Sequence, residues 1–307
     1  MSKVNNSKSS SILYKLLSLL SVVRGYNVLV LVLAQYLAAL FIFSPSRSLR
    51  VLFDYKLLFI VLASVFVVSS GYIINNFYDV KADKINRPIK ASLDQVVSQK
   101  TKLQIYFLFN FLGFLFGWFI SWRAALFFAV YIFAIWLYSH KLKKHPFIGL
   151  ISASVLTISP FFAIFVYYKN FSKIIFVHAA FLFFILLLRQ LLKDLGSLRG
   201  AVANNYITFP VKYGERKTRK LGILFIVLNF LPTYILVNYP SVGYMKYYFL
   251  TSIIVLVFIG YFLWKSNLKR HYVLLHNILK LMLLAGILSL LFIDPSILVE
   301  RVIDKLN

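Results

Sequence analysis

The chain has 307 residues, of which 61% are hydrophobic and only 14% are charged. This composition excludes an ordinary soluble globular domain, and it indicates a protein that lies mostly in lipid. The formal net charge of +25 does not indicate a nucleic-acid-binding protein, because the Lys and Arg residues flank apolar segments instead of forming one basic surface. The absence of cysteine excludes disulfides and thiolate metal sites.

The first apolar segment, residues 12–23, could be mistaken for a signal peptide. Lys15 interrupts it, Arg24 follows it, and it lacks a small-residue cleavage site. We therefore predict that residues 1–26 form a cytoplasmic segment with an interfacial helix that leads into the first span.

Nine apolar windows long enough to cross a bilayer follow in order along the chain. They predict an all-α fold, a polytopic membrane protein with a nine-transmembrane-helix bundle over residues 27–293 and a short C-terminal tail at 294–307. The predicted spans are 27–43, 57–76, 103–121, 124–139, 147–168, 172–192, 219–238, 246–264 and 274–293. We expect a tight hairpin between the third and fourth spans, where Gly113 and Gly117 are typical of close helix packing.

The distribution of basic residues predicts how the protein is oriented. Most of the 34 Lys and Arg residues lie in the N-terminal segment and in the loops after the second, fourth, sixth and eighth spans. By the positive-inside rule these segments are cytoplasmic. We therefore predict a multi-pass protein of a bacterial inner membrane, in contact with membrane lipids and without a nucleic-acid partner. Two of the cytoplasmic loops, 77–102 and 193–218, are long, which indicates a functional role.

The acidic residues are informative because the chain has only nine of them. Asp79 and Asp83 follow Asn75 and Asn76 at the cytoplasmic end of the second span, and a continued helix would place all four side chains on one face. Hard oxygen ligands of this kind suit Mg²⁺, which prefers a few carboxylates together with substrate phosphates. A simpler alternative is a solvated helix end whose acids pair with neighbouring basic residues.

The segment from Asn75 to Pro88, NNFYDVKADKINRP, resembles the first aspartate-rich motif of the UbiA-type intramembrane prenyltransferases. That family has nine transmembrane helices and two acidic motifs in cytoplasmic loops after the second and sixth. Other stretches that resemble it are Arg24-x-x-Asn27, Tyr138-Ser139 through Lys143, and Lys193-Asp194 through Thr208-x-Pro210 and Gly214. The resemblance thus covers most of the chain.

This resemblance implies that an isoprenoid chain is transferred from a prenyl diphosphate to a lipophilic acceptor, with Mg²⁺ as cofactor. It implies catalytic roles for Asp79, Asp83 and Asp194, and metal binding by these three together with Asn75 and Asn76. Candidates for binding the diphosphate are Asn27, Lys84, Arg87, Tyr138, Lys143, Lys193 and Arg199. The Asn-Asn form of the motif resembles the motif of the family branch that uses geranylgeranylglycerol-phosphate substrates. We therefore favour a glycerol-phosphate acceptor, with a quinone-ring acceptor as the alternative.

The second motif departs from the family pattern. Acids would be expected at Gly196, Ser197 and Ala201, but Asp194 alone remains. Three carboxylates would hold Mg²⁺ and a diphosphate less strongly than a full set, so a catalytically degenerate lipid- or diphosphate-binding relative is an alternative. A transporter fits less well, because the third and fourth spans are almost entirely apolar.

Overall fold

The computed structural model of the protein describes residues 13–44, 49–265 and 268–295. Residues 1–12 of the predicted N-terminal segment and residues 296–307 of the predicted tail lie outside these ranges. The proposed boundaries at 26 and 294 therefore stay predictions.

Within the described ranges the protein is helical and contains no strand. Nine helices in the described ranges are long and apolar enough to cross a membrane, which confirms the predicted all-α bundle. In chain order, the helices are α1 (Leu13–Val22), α2 (Gly25–Phe43), α3 (Tyr55–Tyr78), α4 (Val80–Asn86), α5 (Pro88–Asp94), α6 (Gln99–Ile120), α7 (Trp122–His140), α8 (Pro146–Tyr168), α9 (Lys173–Gly196), α10 (Leu198–Ala203), α11 (Phe209–Asn238), α12 (Lys246–Lys265) and α13 (Lys269–Ser289).

Polar residues determine where several spans begin. The Asp54 carboxylate accepts hydrogen bonds from two backbone N–H groups of the first turn of α3, and the Ser98 and Ser121 hydroxyls cap α6 and α7 in the same way. Such caps satisfy backbone donors that a helix start leaves free. Gly214 has φ 78°, a conformation suited to glycine, and it bends the first turn of α11 away from the rest of that helix.

The predicted hairpin between the third and fourth spans is confirmed, since only Ser121 separates α6 from α7. A Cβ atom on Gly113 would lie 2.5 Å from Cγ2 of Val67 on α3, and one on Gly117 would lie 2.9 Å from Phe128 on α7. These two glycines therefore let α6 pack closely against both neighbours, as the sequence indicated.

The bundle is apolar on its outside as well as in its core. Leu29, Leu231 and Trp264 are 70%, 68% and 71% exposed, whereas Leu188 and Leu279 are fully buried between helices. A bundle of spanning helices needs apolar side chains on its outside, where it contacts lipid, as well as in its core.

The two long loops meet at one end of the bundle. The first carries α4 and α5, and the second carries α10. Helix α10 packs directly on α4, while the spans that lead into these loops, α3 and α9, each pack against several other spans. This arrangement holds the two motif loops against each other on a rigid base.

Candidate active site

The first motif lies at a break between two helices. Helix α3 ends at Tyr78, α4 begins at Val80, and Asp79 between them has φ −95° and ψ 9°. The Asp79 N–H still donates to the carbonyl of Asn75, so these two residues stay close together. The continuous helix expected through Asp83 is therefore interrupted at its central acid.

Asp79 receives hydrogen bonds from two other parts of the chain. Lys143 Nζ donates to Asp79 Oδ1 at 2.7 Å and to Asn75 Oδ1 at 3.1 Å, and the Tyr206 hydroxyl donates to the same Asp79 oxygen at 2.7 Å. The Lys143 side chain is only 7% exposed. A buried ammonium needs such a partner, so Lys143 and Asp79 neutralise each other in this structure.

Tyr206 was not among the residues predicted to bind substrate, although the sequence left open whether it closes the second loop or only supports it. Burial, together with the charge of Asp79, raises the pKa of Tyr206, so the hydroxyl stays protonated and keeps donating. The only sequence signal for this role was its place in the long loop 193–218.

The side chain of Asn76 belongs to a different hydrogen-bond network from those of Asn75 and Asp79. Its Nδ2 donates to Asp94 Oδ2 at 2.9 Å, and its Oδ1 accepts from Lys102 Nζ at 3.1 Å. Asp94 also accepts from Ser21 at 2.7 Å and from Lys90 at 2.6 Å. Both amide atoms of Asn76 are therefore engaged in a buried network, which connects the end of α1 to α5 and α6.

The reason for this separation is helical geometry. Consecutive residues of an α-helix point about 100° apart, so Asn75 faces Lys143 while Asn76 faces Asp94. Asp94 and Lys102 were not predicted from the sequence as partners of Asn76. Their signal was weak, because an acid and a lysine eight residues apart in a polar loop suggest only solvated charges.

Asp83 is the carboxylate best placed to accept a cation. The Asp83 side chain makes no hydrogen bond or ion pair with the described residues. Burial and then the charge of Asp79 raise the pKa of Asp83, while Arg24 and Arg87 lower it by smaller amounts. A shielded carboxylate close to a second negative charge favours binding of a divalent ion.

These residues fit Mg²⁺ in part. The other oxygen of Asp79, Oδ2, accepts no hydrogen bond from the described residues, so it and Asp83 offer hard oxygen ligands. No cluster of three or more His, Cys, Asp or Glu side chains occurs in ranges 13–44, 49–265 and 268–295. Mg²⁺ keeps several waters and takes phosphate oxygens from its substrate, so a small protein ligand set is compatible with it.

The second motif supplies one carboxylate. Asp194 lies in the last turn of α9 and accepts a hydrogen bond from Gln190 Nε2 at 2.9 Å. The Ser197 hydroxyl donates to the carbonyl of Lys193 at 2.7 Å, and Ala201 is buried at 6% exposure. The helix ends at Gly196, so the three positions 194, 197 and 201 do not share one continuous helical face.

A glycine and two asparagine side chains hold the two motif loops together. A Cβ atom on Gly200 would overlap the side-chain nitrogen of Asn86 and lie 2.9 Å from the Ala82 carbonyl oxygen. Asn86 Nδ2 donates to the Ser197 carbonyl at 3.3 Å, and Asn204 Nδ2 donates to the Tyr78 carbonyl at 3.2 Å. The loops are therefore in direct contact through backbone and amide groups.

The predicted diphosphate-binding residues fall into two groups. Tyr138 and Lys193 lie within the electrostatic reach of Asp79 and Asp194, and Lys143 bonds Asp79 directly. The other group is more peripheral: Lys84, Arg87 and Arg199 are exposed, and Asn27 is half-buried in the first turn of α2.

Arg24 extends this basic surface, although the sequence analysis noted it only as part of a motif. It adopts a left-handed conformation with φ 53° between α1 and α2. Its guanidinium lies 4.9 Å from the ring centre of Tyr72 on α3, and its charge acts on Asp83 and Arg87. Arg24 therefore belongs to the same end of the bundle as the first motif.

A match to the UbiA prenyltransferase family covers residues 32–285. The chain belongs to the UbiA prenyltransferase family. It is 30% identical to the digeranylgeranylglyceryl phosphate synthase of Pyrococcus horikoshii over 58% of this chain and 65% of that protein. It is 27% identical to the protein of the same name from Methanobrevibacter smithii over 78% of this chain and 83% of that protein.

Solved structures of UbiA proteins have the same fold. A digeranylgeranylglyceryl phosphate synthase structure has a TM-score of 0.67 at 20% identity, covering 90% of this chain and 97% of that chain. A UbiA homologue from Archaeoglobus fulgidus, bound to GPP and Mg²⁺, has a TM-score of 0.64 at 14% identity, covering 89% and 99%. The predicted nine-helix UbiA fold is thereby confirmed.

The comparisons support one part of the expected localisation. The multi-pass membrane character is supported by the nine spans and by the membrane relatives. However, the named relatives are archaeal, so the predicted bacterial inner membrane finds no support. The basic-residue pattern that predicted the orientation does not distinguish the membranes of these two groups of organisms.

Proposed function

We propose that this membrane prenyltransferase transfers a geranylgeranyl chain from its diphosphate to a lipophilic acceptor that carries a glycerol phosphate, with Mg²⁺ as cofactor. The observation that carries this proposal is the pair Asp79 and Asp83 at the α3–α4 break, with Lys143 and Tyr206 directed at Asp79 from two other elements. The names of the archaeal relatives support the donor and acceptor classes.

Asn75, Asp79 and Asp83 would hold Mg²⁺ on the first loop, and Asp194 would contribute from the second. Bound Mg²⁺ would offset the negative charge of the departing diphosphate. Asn76 has a structural role in this proposal, since both of its amide atoms are already bonded to Asp94 and Lys102.

Lys143 has two partners available in turn. In this structure its ammonium is bonded to Asp79. Once a cation occupies Asp79, Lys143 Nζ can donate to a phosphate oxygen instead. Lys193 and Arg87 add positive charge on the same side, which favours a bound diphosphate over water.

The reaction breaks the bond between C1 of the prenyl chain and the diphosphate oxygen, and both electrons leave with the diphosphate. An acceptor hydroxyl oxygen then forms a bond to C1, and its proton passes to the released diphosphate.

The first test compares Asp79→Asn and Asp83→Asn with the wild-type protein in a transfer assay. We use labelled geranylgeranyl diphosphate, Mg²⁺ and a monogeranylgeranyl glycerol phosphate acceptor. Each substitution should lower the transfer rate by about 100-fold or more, because each removes a charged ligand from the centre of the site. Mg²⁺ titration by calorimetry should show weaker binding in both variants.

Asp54→Asn is the matched control, because Asp54 lies at the opposite end of α3 and Asn is an equally good helix cap. Its transfer rate should equal that of the wild type. Transfer that survives both motif substitutions would refute the proposed metal site. A wild-type protein that binds the diphosphate with Mg²⁺ but yields no product with any acceptor would instead be the degenerate relative that the depleted second motif suggested.

A further inference from the structure

A second group of basic side chains lies deeper in the bundle than the two motifs. Arg189 on α9 precedes Lys193 by one helical turn, and His276 and Lys280 lie well inside α13. Ionisable side chains at such depth in a membrane span are costly and mark functional sites. None of these three residues has a role in the proposed transfer reaction.

The packing of α9 against α13 brings the group together. A Cβ atom on Gly196 would lie 3.2 Å from Cγ2 of Val273, and His276 Nδ1–H donates to the Arg189 carbonyl oxygen at 3.1 Å. Val273, His276 and Lys280 are spaced i, i+3 and i+7, so they share one side of α13. That side faces α9, which places Lys280 next to the turn of Arg189.

These cations have few partners of opposite charge. Arg189 Nε is buried without a hydrogen-bond partner, and no ion pair of the described residues involves Arg189 or Lys280. The charges of Arg189, Arg87 and Arg24 act on Lys280, and all three repel it. Like charges close together in a membrane span are unfavourable unless an anion joins them, so the buried Arg189 Nε and the exposed Lys280 side chain are suited to an anionic ligand.

We propose that Arg189 and Lys280 form a subsite for the phosphate of the acceptor lipid, separate from the site of the donor diphosphate, and that His276 positions Arg189 through its hydrogen bond to the Arg189 carbonyl. This inference rests on the proposed function. A guanidinium offers two parallel N–H donors that match phosphate oxygens, and an ammonium adds a point charge. A phosphomonoester, with a charge between about −1.5 and −2, can neutralise more than one of these cations.

The position of the cluster agrees with the reaction. Arg189 lies four residues before Lys193, which corresponds to about 6 Å along α9. An acceptor hydroxyl that attacks the donor at the motif loops is connected to its own phosphate by the glycerol backbone. The phosphate must therefore lie within a short distance of the donor site, and the turn that contains Arg189 lies at such a distance.

Binding experiments with the full-length protein in detergent test this subsite. The probes are monogeranylgeranyl glycerol phosphate, the same lipid without its phosphate, inorganic phosphate, and geranylgeranyl diphosphate with Mg²⁺. In Arg189→Gln and Lys280→Gln, affinity for the phosphate lipid should fall at least tenfold, with unchanged affinity for the other lipid and for the donor. The KM for the acceptor should rise, and Arg189→Lys should recover part of the loss.

Lys265→Gln is the control, because Lys265 is exposed at the end of α12 and bonds Tyr261. Its affinities should match those of the wild type. Unchanged binding in Arg189→Gln and Lys280→Gln would overturn the subsite, as would an equal loss for both lipids, which indicates a packing role. An equal loss for the donor would assign the cluster to the diphosphate, and tight binding of inorganic phosphate alone would indicate a free-phosphate site.

The two proposals fail in different ways. A wild-type protein that neither binds nor transfers geranylgeranyl diphosphate would refute the proposed function. A wild-type protein that binds the donor but does not distinguish the two acceptor lipids would refute the phosphate subsite alone.

Discussion

Asp79 accepts its two side-chain hydrogen bonds through one carboxylate oxygen, from Lys143 and Tyr206. The second oxygen, Oδ2, accepts no hydrogen bond from the described residues and is available to a cation. One residue therefore links three parts of the site, since the donors come from the loop between α7 and α8 and from the loop after α10.

Tyr206→Phe tests the link between the second loop and Asp79. The substitution removes a hydrogen bond to a charged group, which contributes about 1.5–3 kcal/mol. We expect the loop around residues 203–208 to open more often, and limited proteolysis should cleave it several-fold faster. Tyr213→Phe is the control, because Tyr213 packs against Phe209 through its ring. Equal cleavage rates in all three proteins would contradict this role.

The raised pKa of Asp83 predicts that metal binding depends on pH. Burial and the charge of Asp79 raise its pKa, so the folded protein without metal binds this proton more tightly than the unfolded chain. Its contribution to stability is therefore lost as pH rises from the ordinary Asp value through the raised one. Mg²⁺ binds the deprotonated form and should offset that loss.

The measurement is the Mg²⁺-induced rise in melting temperature between about pH 5 and pH 8. The rise should be small at the acidic end and larger at the alkaline end. Asp83→Asn should largely remove this dependence on pH. A wild-type response to Mg²⁺ that is constant over the range would argue against Asp83 as a ligand.

The elements around the site are held by close backbone approach rather than by large side chains. Helix α10 reaches α4 because Gly200 has no side chain to separate them. The break of the α3 helix at Asp79 then turns α4 toward that contact. Shape at these positions decides whether the two motifs meet.

Gly200→Ala should separate the motif loops. Its methyl group would overlap Asn86, and overpacking of this kind costs about 1–3 kcal/mol. We expect a lower melting temperature and a lower transfer rate. Gly260→Ala is the control, because a Cβ atom there meets only Ile226 at an ordinary 3.5 Å. An unchanged transfer rate in Gly200→Ala would show that the loop contact does not support activity.

At the scale of the whole molecule, the uneven distribution of the 34 Lys and Arg residues predicts that both motif loops are cytoplasmic. Single cysteines can test this cleanly, since the chain has none of its own. Ser92→Cys, at an exposed position of α5, should react with a membrane-impermeant maleimide only after the cells are permeabilised. Ser121→Cys, in the exposed α6–α7 hairpin, should react in intact cells. The reverse pattern would invert the predicted orientation.

The sequence by itself determined the spans, the hairpin at Ser121 and the place of the first motif at the end of α3. These features are local, because apolar length, caps and glycine spacing act over a few residues. The family resemblance followed from the same local motifs.

Only the tertiary structure decided which side chains meet. Asn76 bonds Asp94 and Lys102, while Asn75 meets Lys143, because residues one step apart on a helix face different neighbours. The pairing of Arg189 with His276 depends in the same way on how α9 packs against α13. Contacts between distant segments are set by packing, and no spacing along the chain specifies them.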